Sequence, residues 1–162
     1  NYKNMKVIEI KPNRKHEEIK EEVSKEGFLV TSIFLAGTID CGNSPDWQHD
    51  YVEKLKENVK NLSGILYIYN PRRDSGEGIQ PGDTEEMNYQ ITWELEHMEK
   101  ASKIYMRILD DSKSPISLLE LGLWAGKDPT KIVVCCDPNY YRYQNIAVTC
   151  KRYGVMMISE LP

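Results

Sequence analysis

The chain lacks most of the features by which whole classes of protein are recognised. No apolar run approaches the roughly 20 residues that a membrane-spanning helix needs. The first residues are polar and charged, without the apolar core of a signal peptide. A cytoplasmic protein with no membrane partner is therefore expected. Basic excess is absent too: 21 Lys and Arg stand against 25 Asp and Glu, a formal charge of -4, with a pI near 5.5. Such a balance gives no general attraction to phosphate backbones, so no nucleic-acid partner is expected. Cysteine is sparse and unpatterned. Cys41, Cys135, Cys136 and Cys150 contain no CxxC pair and form no metal-like grouping with His16, His49 or His97, so no metal site is expected. Cys135 and Cys136 lie in KIVVCC, a buried strand in this reading, which turns them to opposite faces as small hydrophobes.

What is present suits one core of ordinary size. At 162 residues the chain is too short for two full domains. The expected organisation is a lead-in over residues 1–31, packed on the same domain, followed by a single α/β domain over residues 32–162. The lead-in reads as an edge strand over Met5–Ile10 and a solvated helix over Arg14–Glu26, with Gly27 ending that helix.

From Ser32 the pattern alternates. SIFLAG (32–37) is a short apolar run of the kind buried on both faces of a parallel sheet, and it runs into the small, polar loop Thr38–Asn43. Ser44-Pro45 is expected to start a helix whose inner face carries Trp47, Tyr51, Leu55 and Val59. GILYIYN (64–70) is a second strand, stopped by Pro71-Arg72-Arg73-Asp74. Asp83-Thr84-Glu85-Glu86 resembles a capping box, and the helix after it is expected to bury Met87, Ile91, Leu95 and Met98, with Gln90, Trp93, Glu94 and His97 on the adjoining face. Strands follow at Lys103–Leu109, Lys131–Cys136 and Val155–Ile158, the second of them leading into a loop over Asp137–Asn145. Alternation at this spacing predicts an α/β fold: a flavodoxin-like or Rossmann-like three-layer sandwich on five mostly parallel strands, ordered 2-1-3-4-5. Ligands of such sheets bind at the carboxyl ends of the strands beside the switch point.

One carboxylate stands out. SPISLLELGLWAG (114–126) opens with Ser-Pro, a capping residue and a first-turn proline, and holds a single charge, Glu120, among leucines and a tryptophan. Leu118, Leu119, Leu121, Leu123 and Trp124 surround that helix, so it is expected to be buried on most sides. Helical side chains lean toward the N-terminus, which points Glu120 back toward Ser117 and the helix opening. The alternatives are that Glu120 occupies the one exposed face or pairs with a basic residue of another segment.

With these residues in place the chain resembles the nucleoside 2-deoxyribosyltransferase superfamily, and within it the deoxyribosyltransferase-like branch. The resemblance rests on IFLAGTID (33–40), YNPRRD (69–74), QITWELE (90–96) and SPISLLELG (114–122), with Asn145 also fitting. It implies that Glu120 is a nucleophile attacking the anomeric carbon, and that Asp110 or Asp111 assists the leaving base. No cofactor is implied. The partner would be a small nucleoside or nucleotide, and the protein a homodimer or higher homo-oligomer. Gly37, Thr38, Asp40, Trp47, Arg72, Trp93, Ser114, Ser117 and Asn145 are the expected substrate-binding residues. The first loop lacks the aromatic that typical transferases place there, which passes base stacking to Trp47 or Trp93. Ser112, Lys113, Ser114 and Arg72 suit a 5'-phosphate, so a deoxynucleoside-monophosphate N-glycosidase and a non-catalytic nucleotide sensor remain as alternatives.

Overall fold

A computed structural model describes residues 4–12 and 29–162. The helix and glycine stop expected between Arg14 and Gly27 lie outside the described residues. The elements run β1 (Lys6–Ile10), β2 (Leu29–Gly37), a 3-10 turn (Asp40–Gly42), α1 (Trp47–Val59), β3 (Gly64–Tyr69) and α2 (Thr84–Lys100). β4 (Lys103–Ile108), α3 (Pro115–Lys127), β5 (Ile132–Cys136), α4 (Tyr143–Tyr153) and β6 (Met156–Met157) complete the order. Six strands form the sheet in the order β1-β3-β2-β4-β5-β6, not five. The added strand is β1, which pairs in parallel with β3, Lys6 opposite Ile65 and Ile10 opposite Tyr69. Its alternating apolar residues are enough for an edge position beside a strand that is buried on both faces. The β2–β3, β4–β5 and β5–β6 pairs are parallel as well.

The chain divides into two compact units, Asn1–Phe34 with Asp46–Ala101, and Leu35–Pro45 with Ser102–Pro162. In the first, β3 is the central strand of its neighbours, and Ile65, Leu66 and Ile68 are at most 3% exposed. Asp46 caps α1 by accepting the His49 amide (3.0 Å). The helix therefore starts at Trp47 rather than at Ser44, whose hydroxyl instead donates to the Ile39 carbonyl within the other unit. Trp47, Tyr51 and Leu55 are buried as the spacing requires, and Gln48 and Val52 join them.

α2 is rotated from its expected setting. Asp83 does cap it, accepting the Glu86 amide at 3.0 Å. Yet Met87, Ile91 and Leu95 are exposed, at 48%, 48% and 44%, and the buried residues are Trp93 and Met98. Two things hold that setting. Arg73 reaches Glu86 and Gln90, and Gln90 donates to the Pro71 carbonyl (3.0 Å), which draws the polar face inward. The Trp93 indole stacks on His97 at 4.0 Å and meets Phe34 at 6.2 Å, and an indole buries more area than any of the three aliphatic side chains left outside.

In the second unit, Ile104, Met106 and Ile108 of β4 and Ile132 and Val134 of β5 form a core no more than 1% exposed. Cys135, Cys136 and Cys150 are buried, and burial foremost pushes the Cys136 thiol up to about 12 and that of Cys150 to about 11. They stay protonated hydrophobes. α3 departs from expectation: it is not buried on most sides, since Ile116, Leu119 and Leu123 are 58%, 70% and 43% exposed. α4 starts at Tyr143, so Asn145 belongs to its first turn and not to a loop. No helix among the described residues is long and apolar enough to cross a membrane.

Candidate functional site

In the second unit, the end of β2 is pressed against β4. Gly37 has φ 123°, and a Cβ there would lie 1.9 Å from the Arg107 carbonyl oxygen, so no side chain is compatible with this approach. The next residue, Thr38, is wholly buried and locks the junction. Its amide donates to the Arg107 carbonyl (2.9 Å), and its hydroxyl oxygen accepts from the Leu109 amide (3.0 Å).

From Thr38 a chain of hydroxyls runs to a carboxylate. Thr38 Oγ1 is 2.8 Å from Ser114 Oγ, Ser114 Oγ is 2.7 Å from Ser112 Oγ, and Ser112 Oγ is 2.7 Å from Asp40 Oδ1. An ionised carboxylate only accepts, so the one hydrogen of Ser112 goes to Asp40. Ser112 then accepts from Ser114, and Ser114 from Thr38. All the hydroxyl hydrogens thus point one way, toward Asp40, which ties the β2 loop to the β4–α3 loop.

This network costs backbone strain. Asp40 (φ 50°), Cys41 (φ 54°) and Ser114 (φ 44°) are the positive-φ residues other than glycine among those described, and all three belong to these two loops. Each left-handed residue costs on the order of 1 kcal/mol, which the surrounding bonds must offset. Ser114 holds the N-cap position with Pro115 behind it, but its side chain makes no capping bond. The expected cap is overturned because the left-handed backbone at Ser114 aims its hydroxyl at Thr38 and Ser112 instead. A neighbouring tether comes from Tyr140, 2% exposed, whose hydroxyl donates to the Lys113 carbonyl (2.6 Å). Burial, foremost, pushes that phenol up to about 12, so it remains a donor.

From Ser114 onward, α3 buries a polar line. Ser114, Ser117 and Glu120 follow at steps of three and are 5%, 3% and 8% exposed. Glu120 is the one charged residue of α3 before Lys127. Asp110 and Asp111 are both exposed, Asp110 Oδ1 accepting the Asp111 amide (2.8 Å). Asn145 is exposed in α4. A separate cavity of about 410 Å³ opens at the carboxyl ends of β4, β5 and β6, lined by Arg107, Leu109, Cys136, Asp137 and Tyr143 among others. None of the expected catalytic or substrate-binding residues lines it.

The first unit holds the remaining candidates. Arg72 is 6% exposed, with its guanidinium 3.7 Å from Asp46 and 3.4 Å from the Gln48 amide oxygen, and its own amide bonded to Asn70 (3.0 Å). Trp47 and Trp93, the two indoles considered for stacking, are 4% and 6% exposed, and one face of Trp93 is taken by His97. His97 Nδ1 donates to the Trp93 carbonyl (2.7 Å), which leaves Nε2 as the acceptor of the neutral ring. No group of three or more His, Cys, Asp or Glu among the described residues is arranged to hold a metal.

A residue that the sequence placed on the adjoining face of α2, but not among the expected site residues, lies here. Glu94 accepts from Gln90 (2.9 Å), and burial raises its pKa by more than Gln90 and the Arg73 charge lower it. A carboxyl raised in the folded state costs stability once ionised. Below the ordinary value near 4.5 both states keep the proton and nothing is lost. As pH rises from there toward the folded pKa, the unfolded chain ionises first and stability falls. Glu94→Gln keeps the acceptor and removes the charge. It should raise the melting temperature at pH 7.5, with the gain vanishing by about pH 4. Melts that superimpose at pH 7.5 would contradict this.

A sequence model of the nucleoside 2-deoxyribosyltransferase-like family matches residues 30–140. The chain belongs to that family. The match runs from β2 to the loop after β5. It takes in the strained junction and α3, and leaves out β1, β6 and the whole of α4 with Asn145. None of the curated proteins searched matches the chain. Membership of the deoxyribosyltransferase-like family gives the general class of the protein, an enzyme of nucleoside chemistry of the transferase type with a small nucleoside as its ligand.

Proposed function

We propose that the protein cleaves the N-glycosidic bond of a 2-deoxynucleoside through a glycosyl-enzyme on Glu120 and transfers the deoxyribosyl group to a second base. The observation that carries this reading is a carboxylate, 8% exposed, on the polar line of α3 behind the Thr38–Ser114–Ser112–Asp40 network, within the span matched by the family. Burial weakens hydration of the charge, which favours nucleophilic attack over solvation.

In the first step a Glu120 oxygen bonds to the anomeric carbon and the carbon–nitrogen bond breaks. Its electron pair leaves with the base nitrogen, which takes a proton from the carboxylic acid of Asp110 or Asp111. In the second step a nitrogen of the incoming base attacks the same carbon, Glu120 departs as carboxylate, and the proton of that nitrogen returns to the aspartate. Water in place of the second base gives hydrolysis. Asp40, Ser112, Ser114 and Thr38 hold the two loops together, with Gly37 making their approach possible. A 5'-phosphate at the opening of α3 would have to replace Asp40 as the acceptor of the Ser112 hydroxyl.

Incubation with nucleosides and 5'-monophosphates, with and without a second base, tests the reading. A new nucleoside supports transfer, free base alone means hydrolysis, and saturable binding without turnover of any compound means a sensor. The two aspartates should separate in the same assay. The one that protonates the base should lose at least about tenfold in kcat as its Asn variant, and the other should stay near wild type. Equal, wild-type rates for Asp110→Asn and Asp111→Asn would remove both from the mechanism.

A further inference from the structure

We propose that the cavity at the carboxyl ends of β4, β5 and β6 is a second small-molecule site, separate from that of Glu120, for a carboxylate or phosphate monoester carried on a compact apolar body. The inference does not rest on what Glu120 does. It starts from the position of Arg107. Ile104, Met106 and Ile108 of β4 are at most 1% exposed, so the alternate residues Tyr105 and Arg107 turn to the opposite face of the sheet. Arg107 stands in register with Cys135 of β5, and residues paired across parallel strands share a face. Burial foremost raises the Cys135 thiol, and the Arg107 charge is the main influence lowering it, which agrees with a guanidinium on that side. Both residues line the cavity.

The walls are held by bonds of their own. The Asp137 amide donates to the Ile108 carbonyl, the Ile158 amide to the Val134 carbonyl and the Tyr143 amide to the Tyr140 carbonyl, each at 2.9 Å. The Asn139 amide donates to Asp137 Oδ1 (2.8 Å), and the Cys135 thiol to the Ser159 carbonyl (3.4 Å). A volume of about 410 Å³ falls within the roughly 300–1,000 Å³ of small-molecule sites.

These bonds occupy the backbone and leave side chains for a ligand. Among the described residues Arg107 has no ion-pair partner, and the Tyr143 and Ser159 hydroxyls have no hydrogen-bond partner. A guanidinium donates in a planar fork and keeps its charge, so a site built on it takes oxygen anions and rejects cations. The two hydroxyls add donors for the same oxygens. Asp137 and the exposed Glu160, whose charges also reach Cys135, oppose a dense anion. One carboxylate or phosphate group is therefore favoured over a polyphosphate. Leu109, Pro138, Met157 and Ile158 form the apolar wall for the body of the ligand.

NMR titration of protein labelled at its methionine methyl groups, with benzoate and with phenyl phosphate, provides the test. Benzyl alcohol, a similar ring without charge, is the control. One or both anions should move the Met157 resonance saturably, with benzyl alcohol binding at least about tenfold more weakly. A response to benzoate alone assigns the site to carboxylates, and one to phenyl phosphate alone to phosphate monoesters. Arg107→Gln should weaken the anions at least about tenfold and leave benzyl alcohol unchanged, because only charge-assisted bonds are lost. That side chain is exposed, and Thr38 bonds only to the residue's carbonyl, so the variant should melt with the wild type. Tyr143→Phe keeps the ring and should weaken the anions about threefold. A Met157 resonance that neither anion moves, or anions bound no better than benzyl alcohol, overturn the proposal. So does either variant that binds the anions as tightly as wild type.

Discussion

Glu120→Gln should bind substrate and scarcely turn it over. The amide keeps the shape of the side chain and one acceptor but cannot supply the attacking oxygen, so binding and chemistry separate. Loss of a covalent nucleophile should lower kcat at least about a hundredfold, a barrier rise of roughly 2.7 kcal/mol or more. The dissociation constant measured by titration should change little by comparison. In the wild type, a 2-fluoro-2-deoxy nucleoside should leave a covalent adduct, because the electron-withdrawing fluorine disfavours the cationic transition state of the breakdown step. Peptide mass spectrometry should find the sugar on Glu120. A label on Asp40, Asp110, Asp111 or Glu94 would reassign the nucleophile, and a fully active Glu120→Gln enzyme would end the mechanism.

Gly37→Ala should be among the most damaging substitutions in the chain, although it adds one methyl group. That methyl would stand 1.9 Å from the Arg107 carbonyl oxygen and 2.7 Å from its carbon, both backbone atoms that no rotamer change can move aside. At φ 123° the backbone also lies where side-chain-bearing residues are strained. Relief requires β2 to draw back from β4, which breaks the bond from the Thr38 amide to the Arg107 carbonyl, 2.9 Å long, and the hydroxyl chain that starts at Thr38. A loss of roughly 3 kcal/mol or more is expected, by clash and strain together. Urea unfolding reads it as a fall in the midpoint, accompanied by loss of turnover. An unfolding free energy within about 1 kcal/mol of wild type would show that the junction can relax, and that the close approach is not required.

Much of the architecture was open to reading in the residues. Short apolar runs ending in Gly, Asn or Asp, separated by helical periodicities, identify parallel strands because such strands are buried on both faces and need crossovers. Asp83 is legible as a cap because its role is local, decided by the bond to an amide three residues on. Ser114 was legible only as a position. A capping bond and a bond to a distant hydroxyl compete for the same oxygen, and the winner depends on Thr38, 76 residues away. Nothing local announces that partner. Asp40 could be named as a site residue, while its place at the acceptor end of the hydroxyl chain could not.

Which face of a helix points inward was the least legible feature, and both departures have one cause. Met87, Ile91 and Leu95, at four-residue steps, satisfy with Met98 the periodicity of a buried stripe, but Trp93 and His97 do so on the adjoining side, and of the expected stripe Met98 alone is buried. The choice between them was made by Arg73, Gln90 and the ring of Phe34, which belong to other segments or gain their partners only in the fold. Likewise α3 is apolar all round as a sequence, and only packing could decide that Leu121 and Trp124 go in while Leu119 stays out. By itself, then, the sequence determined the alternation of parallel strands and helices, the start of α2 at its Asp83 cap, and the family with its lone carboxylate in α3, but not the six-strand order or the start of α1. The rotation of α2 and α3, the left-handed backbone at Asp40, Cys41 and Ser114, and the hydroxyl chain to Asp40 were decided by tertiary structure. Each of these is a competition between contacts distant in sequence, whose energies exist only once the segments have met.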